Sequence, residues 1–456
     1  MTMTRVRRGR AVPALLLTVL AGSLAACGGG DDEETTTAAG GDAAATTAGA
    51  TSEAAPARSI AEPTEPVTVR FASWIGQGAE IQKMAKDFKK LHPNITIKFE
   101  NTPAEAIDQK LTTQIAGGNA PDAAYVNGFT VADYAQRGAL ADLDEYIAGS
   151  EVIDPDDYVP AFKQTAVFED SMFALPFAGE STGLFYRTDL FEQAGIAEPP
   201  KTWDEFKAAA EKLTKPEKKQ YGTIVFAPES AYYFYPWLYQ VGGDVLSKDG
   251  KEVVINSEEG KRAAEFYVGL KDYSPKDYLN SNSYDGRVAF ANGTVAMYVA
   301  GAWFAGVLSD EFPKIKGKWD AAPLPEGDKC GTTIAGDNLV VFEESENKDA
   351  AWLWIEYLSR PENMKLYTVG APASTLLPPV KSMLEDPATF EKKPILKGFA
   401  EAMACGPEET GSNPNAPKIE EALNRELGRA LYGEQTGPEA LDAAATEAQQ
   451  ILRRAD

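Results

Sequence analysis

Residues 67–99 run strand, helix, strand with almost no chain between them, and that order limits the fold more than any other feature of the sequence. Val67-Thr68-Val69-Arg70-Phe71 alternates apolar and polar residues like a half-buried strand. Ile81, Met84, Ala85, Phe88 and Leu91 then fall on one helical face, and Ile95-Thr96-Ile97-Lys98-Phe99 alternates again. Two strands joined through a helix pair in parallel, so an α/β protein with sheets flanked by helices is expected. Residues 111–115 read as a second helix ending at Gly117-Gly118, and 123–126 as a short strand.

The pattern continues along the chain. Thr202-Trp203-Asp204-Glu205 is a capping box, in which the Thr202 hydroxyl accepts from the Glu205 amide and the carboxylate reaches back. Phe206, Ala209, Ala210 and Leu213 supply its buried stripe, and a similar start occurs at Ser257. Residues 295–299 and 339–342 read as strands, 350–358 as a helix carrying Trp352, Trp354 and Tyr357, and 419–431 and 441–452 as closing helices. No internal repeat is present.

The front of the chain is of another kind. Arg5, Arg7, Arg8 and Arg10 precede an apolar run over 11–20, and small residues lead to Leu24-Ala25-Ala26-Cys27. That is the layout of a secretory signal peptide over 1–26, with an apolar core shorter than the ~20 residues that span a bilayer. The Leu-Ala-Ala-Cys ending resembles the lipobox of bacterial lipoproteins, which implies that Cys27 is lipidated. Residues 27–65 are rich in Gly, Thr, Ala and Asp/Glu and lack aromatics, so they read as a disordered linker. Such a coil reaches roughly 35 Å. About 390 residues remain, more than one ordinary core accommodates, which points to two lobes.

Charge and residue counts exclude several functions. A net charge of −24 opposes nucleic-acid binding. The single histidine, His92, precludes His-rich metal sites and His-based proton transfer, and neither a Walker loop nor a dinucleotide fingerprint is present. Gly179-Glu180-Ser181-Thr182-Gly183 matches a nucleophile elbow in letters only, since no histidine follows Ser181 to act as base. No cofactor or metal is expected. With Cys27 committed to lipid, Cys330 and Cys405 remain, an even pair that an oxidising compartment allows to bond; two buried thiols are the alternative.

Aromatic residues beside polar ones are what the sequence offers instead. Trp74-Ile75-Gly76-Gln77 follows the first strand, Tyr232-Tyr233-Phe234-Tyr235-Pro236-Trp237 follows an apparent strand ending at Phe226, and Ala300-Gly301-Ala302-Trp303 follows another. Open α/β sheets bind ligands beyond the carboxyl ends of their strands. Flat aromatic faces suit sugar rings, with Asp122, Asn127, Glu180, Asp337 and Asn338 as polar partners.

In this order the motifs resemble the family 1 extracellular solute-binding proteins, the maltose-binding-protein-like carbohydrate receptors of ABC importers. Phe88-Lys89-Lys90-Leu91-His92-Pro93-Asn94-Ile95 is similar to the family's first helix-to-strand passage. Gly183-Leu184-Phe185-Tyr186-Arg187-Thr188-Asp189-Leu190-Phe191 is similar to its signature strand and turn, with Arg187 where Asn or Asp is usual. Pro199-Pro200-Lys201-Thr202-Trp203-Asp204-Glu205-Phe206 and Phe290-Ala291-Asn292-Gly293-Thr294-Val295-Ala296-Met297 complete the likeness. The resemblance implies a type II periplasmic-binding-protein-like fold, two lobes around a hinge, with crossings near Leu175-Pro176, near Pro323-Leu324-Pro325 and after Leu366. The lobes would be 66–175 plus 326–366 and 176–325 plus 367–456. The cysteines would then sit on different lobes or beside the hinge.

It also implies ligand contacts at Trp74, Gly76, Asn127, Glu180, Tyr232, Tyr233, Trp237, Trp303, Asp337 and Asn338, with Gly411-Ser412-Asn413 as a weaker candidate. The expected function is a lipid-anchored receptor, extracellular or periplasmic and monomeric. It would bind a sugar, in all expectation an oligosaccharide, and deliver it to ABC permease subunits, with no chemistry done on it. The alternatives are an extracellular glycosidase using a carboxylate pair, and a receptor of the same fold for a polyamine or amino acid.

Overall fold

The structure is a computed structural model that describes residues 56–281, 283–371, 373–406 and 413–455. The signal peptide, Cys27, Gly411 and Ser412 lie outside the described residues. Nine strands are named here: β1 (Val67–Ser73), β2 (Ile95–Asn101), β3 (Ala123–Asn127), β4 (Val167–Phe168), β5 (Ser171–Met172), β6 (Ala174–Tyr186), β7 (Met297–Gly301), β8 (Asp320–Ala322) and β9 (Ile334–Val341).

The opening unit forms as the alternation requires. The helix Ala79–Leu91 buries Ile81, Met84 and Phe88 and returns the chain so that β1 and β2 pair in parallel, from Val67 opposite Ile95 to Ser73 opposite Asn101. β3 joins parallel to β1 on its other side. β9 then pairs antiparallel with both β3 and β6, giving the order β2-β1-β3-β9-β6-β7, with β8 also on β6; β4 and β5 form a separate hairpin.

β6 is the spine. Residues 174–181 pair with β9, and residues 182–186 with β7 and, at their end, with β8. The register shifts between Pro176 and Ala178, where proline has no N–H to give the ladder. Buried residues divide into two large clusters along this strand: Phe71, Phe88, Tyr125, Leu175, Phe177 and Trp354 belong to one, and Leu184, Phe206, Trp237, Tyr298, Phe304 and Leu427 to the other. The expected two-lobed α/β architecture is thus built on a sheet that continues through one strand. The chain passes between clusters again ahead of Leu339, and again over 364–380: Met364 packs in the first cluster, Val369 and Leu377 in the second, and Val380 in the first. That last return, held by the Val159 amide donating to the Pro379 carbonyl at 2.9 Å, places residues near 380 outside the lobe the sequence assigns them.

Gly179 is where the crossings meet. It pairs with Gly336 of β9 on one side and exchanges two backbone hydrogen bonds with Leu377 on the other, at 2.7 and 2.8 Å. A Cβ there would lie 2.1 Å from Phe162 Cζ, so only glycine fits.

Several expectations need correction. The aromatic run at 232–237 lies in the helix Ser230–Gln240, not a loop, although Pro236 inside it cannot donate to the Tyr232 carbonyl. No regular strand ends at Phe226; a single bridge joins Tyr221 to Val295. The capping box is displaced by one residue: Glu205 N donates to the Thr202 hydroxyl at 3.3 Å, but the carboxylate accepts from Lys201 N at 2.7 Å. Residues of the expected spacer are also docked. The Arg58 guanidinium pairs with Asp349 at 2.8 Å and lies 4.5 Å over the Tyr146 ring, and Ile60 packs on the first cluster.

A disulfide joins Cys330 to Cys405. The loop before Cys330 is tied to Gln240, whose carbonyl accepts from Asp328 and Lys329 N and whose amide donates to the Gly331 carbonyl at 3.0 Å. Cys405 closes the turn Met403–Cys405 after the helix Ile395–Ala402, whose Phe399 sits in the second cluster. Both ends therefore rest on the same lobe and do not bridge the two.

Arg187, the departure from the signature, is buried and structural. It donates to the Phe290 carbonyl at 2.9 Å and the Ala291 carbonyl at 3.2 Å, at the end of the helix Ser283–Asn292, and pairs with Asp189 at 2.8 Å. Arg187→Leu takes the guanidinium away from two carbonyls and a carboxylate and should lower the unfolding free energy by ~2–4 kcal/mol, measured by urea denaturation; an unchanged midpoint refutes this role.

Candidate functional site

Side chains alternate across a sheet, so the strand registers decide which polar residues share a face. Asn127 lies opposite Asp337 and Asp337 opposite Ala178, which brings Tyr125, Asn127, Asp337, Ala178 and Glu180 onto one face at the crossing. Tyr125 Oη donates to Asp337 Oδ2 at 2.6 Å, and Tyr367 Oη donates to Tyr125 Oη at 3.3 Å. Trp74, just past β1, tilts against Tyr125 with ring centroids 4.5 Å apart. Asn127 Nδ2 donates to Asp108 Oδ2 at 2.9 Å, from the helix Ala104–Ala116.

The second lobe completes this face. Tyr232, in the first turn of its helix, donates to Glu180 Oε1 at 3.1 Å. Trp303 opens the helix Trp303–Asp310 directly after β7, and its indole N–H serves Tyr232. The Arg287 guanidinium lies 4.7 Å over the Trp303 ring. Gly301 is required beside them, since a Cβ there would sit 2.0 Å from Glu180 Oε2. Glu420 comes from the helix Ala416–Leu431, which packs near the turn Gly128–Thr130 of the first lobe.

These carboxyls hold their protons unusually well. Burial, then Asp337, pushes Glu180 up to about 8, against a lowering by the Tyr232 bond. Burial pushes Asp337 to about 7, with Asp108 adding to the shift and Tyr125 opposing it. Asp108 rises to about 6 through burial, and Glu420 to about 7 through burial and then Asp108. Glu180 Oε2 and Asp108 Oδ1 are shielded from solvent and accept no hydrogen bond. Among the described residues, no three His, Cys, Asp or Glu side chains are grouped closely enough to hold a metal ion.

Of the ten expected contacts, Trp74, Asn127, Glu180, Tyr232, Trp303 and Asp337 gather here. Tyr233, Trp237 and Asn338 do not. Trp237 is 1% exposed and packs on Trp203, Phe206 and Phe266. Tyr233 is buried and shares a hydrogen bond with Tyr298 at 3.0 Å. Asn338 is fully buried on the opposite face, where it donates to Thr165. Gly76 contributes only a close approach, because a Cβ would lie 2.4 Å from Asn101 Oδ1. Asp122 is tied to Arg70 N and Ser345, and Asn413 to Gly250 and Asn415. Ser181 lies mid-strand and donates to the Phe399 carbonyl at 2.6 Å, so no elbow forms.

Sequence reasoning missed Asp108, Tyr125, Tyr367 and Glu420. Two of them share a signal: an acid on an apolar helical stripe, as in Asp108, Leu111, Ile115 and in Glu420, Leu423, Leu427.

Known proteins supply the comparison. The family model for bacterial extracellular solute-binding proteins matches residues 72–365. The diacetylchitobiose binding protein DasA of Streptomyces coelicolor is 28% identical over 345 residues, 74% of this chain and 76% of that protein. A solute-binding protein from Thermotoga lettingae, solved with alpha-D-tagatose, superposes with a TM-score of 0.77 at 25% identity, covering 85% of this chain and all of the other. The GacH receptor of Streptomyces glaucescens, solved unliganded and with acarbose, gives 0.74 at 28% identity over 85% of this chain and 98% of its own. These likenesses agree with the type II two-lobed fold. Among the described residues no helix is long and apolar enough to cross a membrane.

Glu180 permits a pH test. Its folded pKa of about 8 exceeds the ordinary 4.5, so ionising it penalises the fold as pH rises between those values. Glu180→Gln, which still accepts from Tyr232, should therefore gain melting temperature over wild type as pH goes from 5 to 8, by roughly 2 °C or more. A difference that stays flat with pH would show that Glu180 ionises as an exposed carboxylate does.

Proposed function

The chain belongs to the bacterial extracellular solute-binding protein family, and from that premise we propose that it is the lipid-anchored receptor of an ABC importer, taking up a sugar between its lobes. The observation that carries the reading is the face from Trp74 through Asp337 and Glu180 to Tyr232 and Trp303, in which two carboxylates lie between aromatic rings and buried Tyr125 holds Asp337 from behind. Sugar rings present apolar C–H faces to such aromatics and hydroxyl donors to such carboxylates. The ligands named for DasA, GacH and the Thermotoga protein are sugars or a pseudo-oligosaccharide, which supports the same class, and an oligosaccharide suits a face this long.

The lobes are taken as 66–175 plus 326–366 and 176–325 plus 367–456, except that the loop around Cys330 rests on the second and residues near 380 return to the first. Ligand bound to one lobe and bridged by the other favours the closed form through its higher affinity for that form. Glu180, one residue beyond the meeting point of the crossing strands, changes its surroundings whenever the lobes move. Closed receptor would then dock as a monomer on permease subunits and release the ligand unaltered, as the binding-protein family implies. Lipidated Cys27 would keep the receptor at the outer face of the membrane, where its permease lies.

Calorimetric titration with a panel of saccharides and polyols tests the reading. A response only to amino acids or polyamines would remove sugar from it, and glycoside turnover lost with one carboxylate substitution would replace it with a glycosidase. Trp303→Ala should weaken binding of the responding sugar by ~1–3 kcal/mol through lost aromatic burial, and an unchanged Kd would take Trp303 out of the site.

A further inference from the structure

We propose that the cleft selects a sugar or polyol bearing a protonated amine over its neutral counterpart, with Glu180, Asp337, Asp108 and Glu420 supplying the opposite charge. The proposal deepens the receptor reading above and rests on it.

Its ground is the way these carboxylates are left. Each of the first three takes a hydrogen bond from a neutral side chain: Glu180 from Tyr232, Asp337 from Tyr125, Asp108 from Asn127. Among the described residues none of the four forms an ion pair. Elsewhere shielded acids are either paired with cations, as Asp189 with Arg187, Glu100 with Arg70, Asp133 with Arg137 and Glu426 with Arg425 and Arg429, or filled by neutral donors on both oxygens, as Asp122 is by Arg70 N, Ser345 and Asn347. What sets this face apart is that Glu180 and Asp108 each keep an oxygen that has neither a cation nor a hydrogen bond. Shielding a carboxylate without a cation is costly.

Two of the acceptors point the same way. Glu180 Oε2 and Asp108 Oδ1 are cut off from solvent and accept nothing from the protein, so a bound donor is what completes them. Beside this face the Arg287 guanidinium is stacked over the Trp303 ring. A metal ion does not answer the need, because the acids come from four separate elements and are not grouped at coordinating distance. An extended molecule with hydroxyls and an ammonium group does. The part of the raised proton affinity that comes from neighbouring carboxylates, Asp337 on Glu180 and Asp108 on Asp337 and Glu420, is relieved by an ammonium as it is by a proton. The aromatic faces of Trp74, Tyr232 and Trp303 add to that preference.

The test is isothermal titration of the full-length protein at pH 7.5 with matched pairs differing only at nitrogen: 1-amino-1-deoxymaltitol against maltitol, glucamine against sorbitol, and the free-amine chitobiose against cellobiose. At least one amine-bearing member is expected to bind tenfold or more tightly than its neutral partner. The alkylamine ligands should also release protons from the carboxyls, read as a dependence of heat on the ionisation enthalpy of the buffer. Glu180→Gln and Asp337→Asn should each shrink the ratio of amine to neutral affinity. Neutral members that bind as well as or better than their amines overturn the proposal and leave the receptor reading intact. No response from any member also overturns the proposal, while the receptor reading stands or falls by the saccharide and polyol panel above.

Discussion

The structure turns on a backbone ladder at Gly179. There β6 meets Gly336 of β9 on one edge and Leu377 on the other, so every passage of the chain between the two buried clusters runs through or beside one residue. Phe162 closes over it at a distance that forbids any side chain. Hydrogen bonds hold such a junction together while leaving its torsions free to flex, because the main chain bears the load and few side chains interlock across it. The lobes are large and internally packed; the strip between them is narrow and built from glycine, proline and small residues.

Placing the candidate site on that strip has an energetic consequence. Carboxylates that would be cheap on an open surface are half-shielded where the lobes approach each other, and they respond by retaining protons. The second lobe adds to the effect, since Glu420 feels Asp108 across the space between helices. Stability is spent here on an unfinished electrostatic arrangement, as is common where a protein keeps a place for something else. The opposite solution appears at Arg187, where a buried charge is saturated by one carboxylate and two carbonyls.

Much of the fold was legible because its signals are local. The stripe Ile81, Met84, Phe88 and the alternation around it define a helix between parallel strands without reference to anything distant. The pairing of β6 with β9 is not local: residues 150 or more apart meet there, and no short pattern encodes the encounter. The run at 232–237 misled for a chemical reason, since tyrosine, phenylalanine and proline all score poorly for helix while tertiary packing of Phe234, Trp237 and Leu238 overrides them. In the candidate site, residues near strand ends were found because position alone suggests them. Asn338 was misplaced because a strand residue's face depends on a register that only pairing fixes, and Tyr233 and Trp237 because the helix turns them into the core.

The Cys330–Cys405 bond has a meaning that its position within one lobe does not at first suggest. The chain between those cysteines leaves the second lobe along β9, forms the helix Lys348–Leu358 of the first cluster, and comes back past Leu377. Topologically this is an insertion stapled at its feet. A closed loop of that size has far fewer unfolded arrangements than an open one. The staple thus lowers the entropy that the excursion would gain by melting, while imposing no restraint on the angle between the lobes. Durability and mobility, which usually trade against each other, are here assigned to different parts of the chain.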